Sequence, residues 1–345
     1  MKHRLYTTSQ KAWDGMFVAM TKAEKSIYIE MYILQNDTQS THDFFGLLKE
    51  KSRAGLEVVI IADALGSFSL RGQAVSELRD AGIEFIFFSH YLRRTHRKIV
   101  IIDNRVAFLG GVNIKEQNRN WLDLQVKIEG RIVIPLLQSF AYAYALIGGK
   151  KESILKYNRL SLVKKIQSWI IDTFVGNTKT YNLNNYYRER LMSAKKSIKI
   201  ATPYLLPPRR LLAALDNARL RGILVEILIP NNTDIHNLNK INYLNACRLS
   251  ALGVKFYLMP RMNHAKVMIV DDEECLVGSQ NMDVLSFSFN MEVGVFFRQK
   301  KLVTDLVKVF DHWKQESVDF SATQKKLTIL DRVLIGIFKI FYPIL

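Results

Sequence analysis

The 345-residue chain carries one unusual pattern twice: His-x-Lys, four residues, Asp, six residues, then Gly-small-x-Asn. The first copy comprises His96, Lys98, Asp103, Gly110-Gly111 and Asn113; the second comprises His264, Lys266, Asp271, Gly278-Ser279 and Asn281. Likeness continues upstream, where Ala23-Glu24-Lys25-Ser26-Ile27-Tyr28-Ile29 parallels Ala194-Lys195-Lys196-Ser197-Ile198-Lys199-Ile200. An internal repeat of this extent restricts the fold to two like units before any single element is assigned.

Within each unit strands and helices alternate. Ile27, Ile29, Met31 and Ile33 recur at period two, which predicts a strand. A helix closed by glycine follows in both copies, at Arg53-Ala54-Gly55 and Leu220-Arg221-Gly222, and then an apolar strand at 57–61 and 225–229. A second helix and strand lead to the motif strands, expected over 98–103 and 266–271. This alternation predicts an internally duplicated α/β fold, two halves with central, mostly parallel sheets flanked by helices. The expected divisions are a first half over 1–150, a basic helical linker over 151–175, a second half over 176–320 and an amphipathic tail over 321–345.

Hydrophobic residues make up 48% of the chain, enough for a full core, and the formal net charge of +17 points to a polyanionic partner. Nucleic acid and an anionic membrane surface both fit that charge. Cys247 and Cys275 show no CxxC spacing and read as ordinary buried thiols, against a disulfide framework or a zinc site. The first ten residues lack the apolar core of a signal peptide. Residues 132–149 are free of charge, yet Pro135 near the start and Gly148-Gly149 at the end describe a buried core helix. In the tail, Leu330, Val333, Leu334, Ile337, Phe338 and Phe341 share one helical stripe opposite Lys325, Arg332 and Lys339. Those charges argue against spanning a bilayer, and the stripe fits a helix lying in the membrane interface.

In a strand, residues two apart face the same side, so His96 projects with Lys98 and His264 with Lys266. Asp103 and Asp271 lie five residues past each lysine, face away, and suit structural hydrogen bonding. The small residues at 110–111 and 278–279 permit close backbone approach and set Asn113 and Asn281 beside each His-Lys pair. Phosphodiester exchange needs a nucleophile, an acid for the leaving alkoxide, and donors for the non-bridging oxygens. Two histidines titrating near neutrality supply the first two, and Lys98, Lys266, Asn113 and Asn281 supply the phosphate-binding donors. The motif residues His96, Lys98, Asp103, His264, Lys266 and Asp271 form the candidate catalytic set, and no metal or cofactor is expected.

The two motifs resemble those of the phospholipase D superfamily, and their flanks resemble its bacterial cardiolipin synthase branch. The flanks in question are Arg94-Thr95 before His96, Val106 through Ile114, Asn263 before His264, Val277 through Asp283, and Asn290-Met291-Glu292. Asp63-Ala64-Leu65-Gly66-Ser67 and Thr202-Pro203-Tyr204 add to the likeness, which runs from about residue 20 to 318. The resemblance implies one active site built from both motifs and a phosphatidyl transfer through a phosphohistidine, with His96 as nucleophile and His264 as acid, then base. A downstream carboxylate commonly orients each histidine in this family. Asp123 and Glu292, at nearly equal distances past His96 and His264, fill that place.

Two departures stand out: the chain shows no counterpart of the branch's two N-terminal membrane helices, and Leu285 stands where an arginine is frequent. The implied protein is a membrane-associated phosphatidyltransferase making cardiolipin, held peripherally on the cytoplasmic face of the cell membrane. Its partners would be a phosphatidylglycerol surface and a second phospholipid donor. A hydrolytic phospholipase D and an endonuclease of the same superfamily are the alternatives. The doubled motif and the fatty, basic tail favour lipid over nucleic acid.

Overall fold

The computed structural model describes residues 2–70, 72–90, 93–158, 168–172, 183–320, 328–330, 333 and 337. In the first half, strands β1 (Lys2–Thr8), β2 (Ser26–Met31), β3 (Glu57–Asp63), β4 (Glu84–Phe88), β5 (Lys98–Ile102), β6 (Val106–Gly110) and β7 (Leu122–Glu129) form one sheet in the order β1-β7-β6-β5-β2-β3-β4. The second half uses β8 (Ser168–Asp172), β9 (Ser197–Ala201), β11 (Leu224–Pro230), β12 (Lys255–Met259), β13 (Val267–Val270), β14 (Glu274–Gly278), β16 (Val293–Phe297) and β17 (Val318–Asp319). Their order is β17-β12-β11-β9-β13-β14-β16-β8, and two short strands, β10 (Leu205–Leu206) and β15 (Met282–Asp283), pair beside them. Reading the second order backwards reproduces the first, strand for strand, from β8 to β12.

The fold class expected from the repeat is the one observed, with one difference in strand sense. Parallel pairing joins β2, β3 and β4 in the first sheet and β9, β11 and β12 in the second, where helices make the crossovers. The other ladders of both sheets are antiparallel. The reason is local: tight hairpins follow both motif strands, and a short connection returns the chain antiparallel. In the first, Arg105 N–H donates to Ile102 O at 3.0 Å, with Asp103 and Asn104 at φ 51° and 57°. In the second, Glu273 N–H donates to Val270 O at 3.0 Å, with Asp271 and Asp272 at φ 56° and 54°. These are type I′ turns, whose left-handed positions Asp and Asn tolerate better than most residues.

The linker reading also needs correction. Helix α5 (Glu152–Asn158) supports its first part, but Ser168–Asp172 is strand β8, hydrogen-bonded antiparallel to β16. Trp169-Ile170-Ile171 is a bulky, partly β-branched run, which favours strand over helix. β8 is the counterpart of β1, so the second sheet begins before residue 176.

Helices α1 (Ser9–Thr21), α2 (Phe44–Arg53) and α3 (Gln73–Asp80) cover one face of the first sheet, and α6 (Leu183–Ser193), α7 (Arg209–Leu220) and α8 (His236–Ser250) cover one face of the second. The other faces meet in a shared core with α4 (Val133–Leu146) and α9 (Lys300–Gln315). Alternation along the motif strands serves both layers: Ile99 and Ile101 point inward while Val100 and Ile102 point outward. Val267 and Ile269, against Met268 and Val270, repeat the arrangement. Burial on both faces explains the unbroken apolar runs of these strands.

The charge-free stretch at 132–149 is largely α4, with Leu136, Leu137, Phe140 and Tyr144 fully buried and Gly148 closing it at φ 81°. Among the described residues, no helix is long and apolar enough to cross a membrane. Of the tail stripe, Leu330, Val333 and Ile337 are exposed; Leu334, Phe338 and Phe341 lie outside the described residues.

Candidate active site

Each motif loop is stitched to the opposite half. Thr95 bridges Met291 and Leu122 bridges Asn263, both in parallel register. His96 N–H donates to Met291 O (3.0 Å) and Met291 N–H to Arg94 O (2.8 Å). Correspondingly, His264 N–H donates to Leu122 O (2.7 Å) and Leu122 N–H to Met262 O (3.0 Å). The neighbouring carboxylates are thereby exchanged between halves. His96 Nδ1 lies 2.9 Å from Glu292 Oε1 and 3.1 Å from Ser279 O. His264 Nδ1 lies 3.0 Å from Asp123 Oδ2 and 3.2 Å from Gly111 O. Spacing along the sequence associates Asp123 with His96 and Glu292 with His264; the fold crosses them.

Two acceptors at each Nδ1 require that nitrogen to carry the proton, which leaves Nε2 with its lone pair for chemistry. The crossing also explains the small residues. A Cβ on Gly111 would sit 2.1 Å from Asp123 Oδ1 and 2.9 Å from His264 O. At the matching position of the second half, Ser279 turns its hydroxyl onto Glu292, which also accepts from Ser286 Oγ at 2.7 Å. Arg97, the middle residue of the first motif, is fully buried and makes paired contacts to Glu30 at 2.8 Å and 3.0 Å. Its guanidinium also reaches Ser139, which fastens α4 beneath the motif.

Lys98 and Lys266 are buried, and each ammonium donates to the carbonyl of its own motif histidine. Asn113 Oδ1 accepts from Ile33 N–H at 3.2 Å, leaving its amide N–H groups for the cavity. Asn281 is held by its backbone N–H to Ser286 Oγ at 3.1 Å, and its buried Oδ1 has no hydrogen-bond partner. Both asparagines and both histidines line one cavity of about 350 Å³. Burial pushes the His96 imidazole well below its ordinary range, and the Lys98 and Lys266 charges push the same way. His264 is lowered by burial and by Lys266, with Asp123 opposing. Burial lowers Lys98 to about 7 and Lys266 to about 8, while it raises Glu292 to about 7. An anion held between the two motifs would favour the charged forms of both lysines.

Asp103 and Asp271 stand outside this cavity, which corrects their place in the catalytic set. Asp103 accepts the backbone N–H groups of Glu24, Lys25 and Ser26, the closest at 2.7 Å. Asp271 does the same for Lys195, Lys196 and Ser197, again with 2.7 Å as the shortest. Their positions at the hairpin tips, rather than strand alternation, remove them from the reacting surface. Cavity residues outside the motif reading include Tyr32, whose ring centroid is 4.7 Å from that of His96, Trp121 and Tyr204, at 5.5 Å and 6.2 Å from His264, and Asp234. Tyr204 lies in a segment marked by the resemblance, and Trp121 stands two residues before Asp123. Tyr32 directly follows β2, and Asp234 carries no sequence signal.

The family model described as "Cardiolipin synthase, PLD-like domain" matches residues 16–141 and 187–314. The chain belongs to that family. Among its relatives, "Probable cardiolipin synthase YwiE" of Bacillus subtilis is 30% identical over 338 residues, spanning 92% of this chain and 67% of the relative. A "Cardiolipin synthase" of Clostridium perfringens is 31% identical over 368 residues, spanning 99% and 76%. In fold, the chain resembles the crystal structure of a phosphatidylserine synthase from Haemophilus influenzae, with a TM-score of 0.75 at 16% identity, covering 99% of this chain and 93% of that one.

Proposed function

We propose that this member of the cardiolipin synthase family is a phosphatidyltransferase that joins phosphatidyl groups to phosphatidylglycerol through a phosphohistidine. The observation that carries the reading is the pair of histidines on one cavity, each held at Nδ1 by a carboxylate of the other half. With Nδ1 protonated, His96 Nε2 attacks the phosphorus of a donor phosphatidylglycerol. The P–O bond to glycerol breaks as the P–N bond forms, and His264, entering this step as the imidazolium with both ring nitrogens protonated, gives its Nε2 proton to the departing alkoxide. The hydroxyl of a second phosphatidylglycerol then attacks the phosphorus, His264 takes its proton back, and the P–N bond breaks. Lys98, Lys266, Asn113 and Asn281 balance the charge on the non-bridging oxygens, most strongly in the transition state. Asp123 and Glu292 act as positioning residues.

Membrane attachment is peripheral in this reading, on the cytoplasmic face, through the basic surface and the 321–345 tail. Ile235, on the cavity lining, is 43% exposed and offers an apolar edge beside the acyl chains. Phosphatidylglycerol liposomes test the reaction. Cardiolipin with equimolar glycerol supports transfer, phosphatidic acid alone replaces it by hydrolysis, and cleavage of single-stranded DNA without lipid turnover overturns both. Alanine at His96 or at His264 abolishes turnover; substantial activity in either variant refutes the shared site.

A further inference from the structure

Cardiolipin formation brings two anionic phosphodiesters into one cavity, and the motif cations face only one of them. On the reading above, Lys98, Lys266, Asn113 and Asn281 surround the phosphate in transfer. The acceptor carries its own phosphate, a three-carbon bridge away from the hydroxyl that attacks. A second cationic position is needed at that span. Two long cations line the cavity apart from the motif groups, Arg94 and Lys115. Arg94 is already engaged by the Tyr32 hydroxyl and the Asp63 charge.

Lys115 is half-buried, and among the described residues its ammonium has neither a hydrogen bond nor an ion pair. The adjacent Glu116 is held by Arg119, at 2.7 Å from Oε2, and Asp37 accepts the Glu116 N–H at 3.0 Å. The two acidic residues on the cavity wall have neutral donors. Asp234 accepts from Tyr204 Oη at 2.6 Å, and Asp283 caps Ser286 N–H at 2.7 Å. Backbone geometry places Lys115 in line with the motif. Its φ and ψ of −156° and 130° are extended, Ile114 before it is fully buried on the outer side, and Asn113 and Lys115 both reach the cavity. Two extended residues advance about 7 Å, close to the separation of two phosphates joined by three carbons.

We propose that Lys115 forms a second phosphate subsite, which holds the phosphate of the acceptor lipid while its hydroxyl attacks the phosphohistidine. The inference rests on the transferase reading and adds acceptor selection to it: anionic glycerophospholipids are preferred over neutral alcohols and water. The chemistry is unchanged, since Lys115 touches neither bond made nor bond broken.

The test compares two reactions of the full-length protein on phosphatidylglycerol vesicles at fixed ionic strength. One is cardiolipin formation; the other is exchange of isotopically labelled glycerol into phosphatidylglycerol, which uses the same donor and no second phosphate. In Lys115→Gln the ratio of cardiolipin formation to glycerol exchange falls about tenfold to a hundredfold, the range for a lost charge-assisted contact. The loss appears in the dependence on phosphatidylglycerol concentration, and Lys115→Arg restores most of the ratio. An unchanged ratio in Lys115→Gln overturns the subsite, as does a parallel fall of both reactions, which marks a merely structural role. Absence of both reactions in the unsubstituted protein would instead count against the transferase reading itself.

Discussion

Asparagine at Asp123 removes one negative charge and keeps the shape of the side chain. Because Asp123 contacts His264 Nδ1 at 3.0 Å, its charge and hydrogen bond both raise the proton affinity of that imidazole against the lowering effects of burial and Lys266. Replacing a charge-assisted hydrogen bond by a neutral one gives up about 1–1.5 kcal/mol, and burial enlarges the difference, so the His264 pKa falls further. His96 answers to its burial and to Lys98, Lys266, His264 and Ser279 instead, and does not follow His264. Titration of ¹³C-labelled histidine by NMR reads both rings separately. The matched rate measurement gives a loss of about 10²–10⁴-fold in kcat, the scale of a removed histidine-orienting carboxylate. Glu292→Gln produces the mirror result, moving His96 and sparing His264. A shift of His96 in Asp123→Asn, with His264 unmoved, would show each carboxylate serving its own half and refute the crossed arrangement. Movement of neither ring would disconnect the carboxylate from both.

Three further outcomes follow from the same geometry. With Lys98 near 7 and Lys266 near 8, binding inorganic phosphate at pH 8 recharges both ammonium groups and takes up on the order of one proton. The sign follows from burial lowering both lysines, so uptake fades as pH falls below about 6, where both are already charged; calorimetry in buffers of different ionisation enthalpy that finds no uptake at pH 8 contradicts it. Gly111→Ala forces a Cβ to 2.1 Å from Asp123 Oδ1, which costs about 1–3 kcal/mol in denaturant unfolding and lowers activity beyond the loss of folded protein. Asp103→Ala gives up three backbone N–H partners and a favourable turn residue, a cost of about 1–3 kcal/mol, while kcat per folded molecule stays within about twofold; a collapse of kcat in stable protein would return Asp103 to the reaction.

The pairing of half with half was legible because repetition survives in the residues that form hairpins and close contacts. His96, Lys98, His264 and Lys266 converge as their matched spacing requires, and Asn113 and Asn281 reach the same cavity. Strand sense was less legible, since alternation of apolar residues reports burial and not direction; the type I′ turns at Asp103-Asn104 and Asp271-Asp272 decide it. The exchange of Asp123 and Glu292 left no local trace at all. It depends on the backbone ladders Leu122–Asn263 and Thr95–Met291, which join residues far apart in the chain. β8 escaped notice because its short run lies within a strongly basic stretch that reads as solvent-exposed helix.

Fusion of two like halves into one polypeptide released them from having to remain alike. Two identical halves meeting this way would give each histidine the same carboxylate and the same neighbour. In this chain one ring faces Asp123 beside a glycine, and the other faces Glu292 beneath the hydroxyls of Ser279 and Ser286. The rings therefore start from different proton affinities, and a division of labour can be inherited as a fixed property of position. Loss of either half would take away the other's supporting carboxylate along with its own histidine.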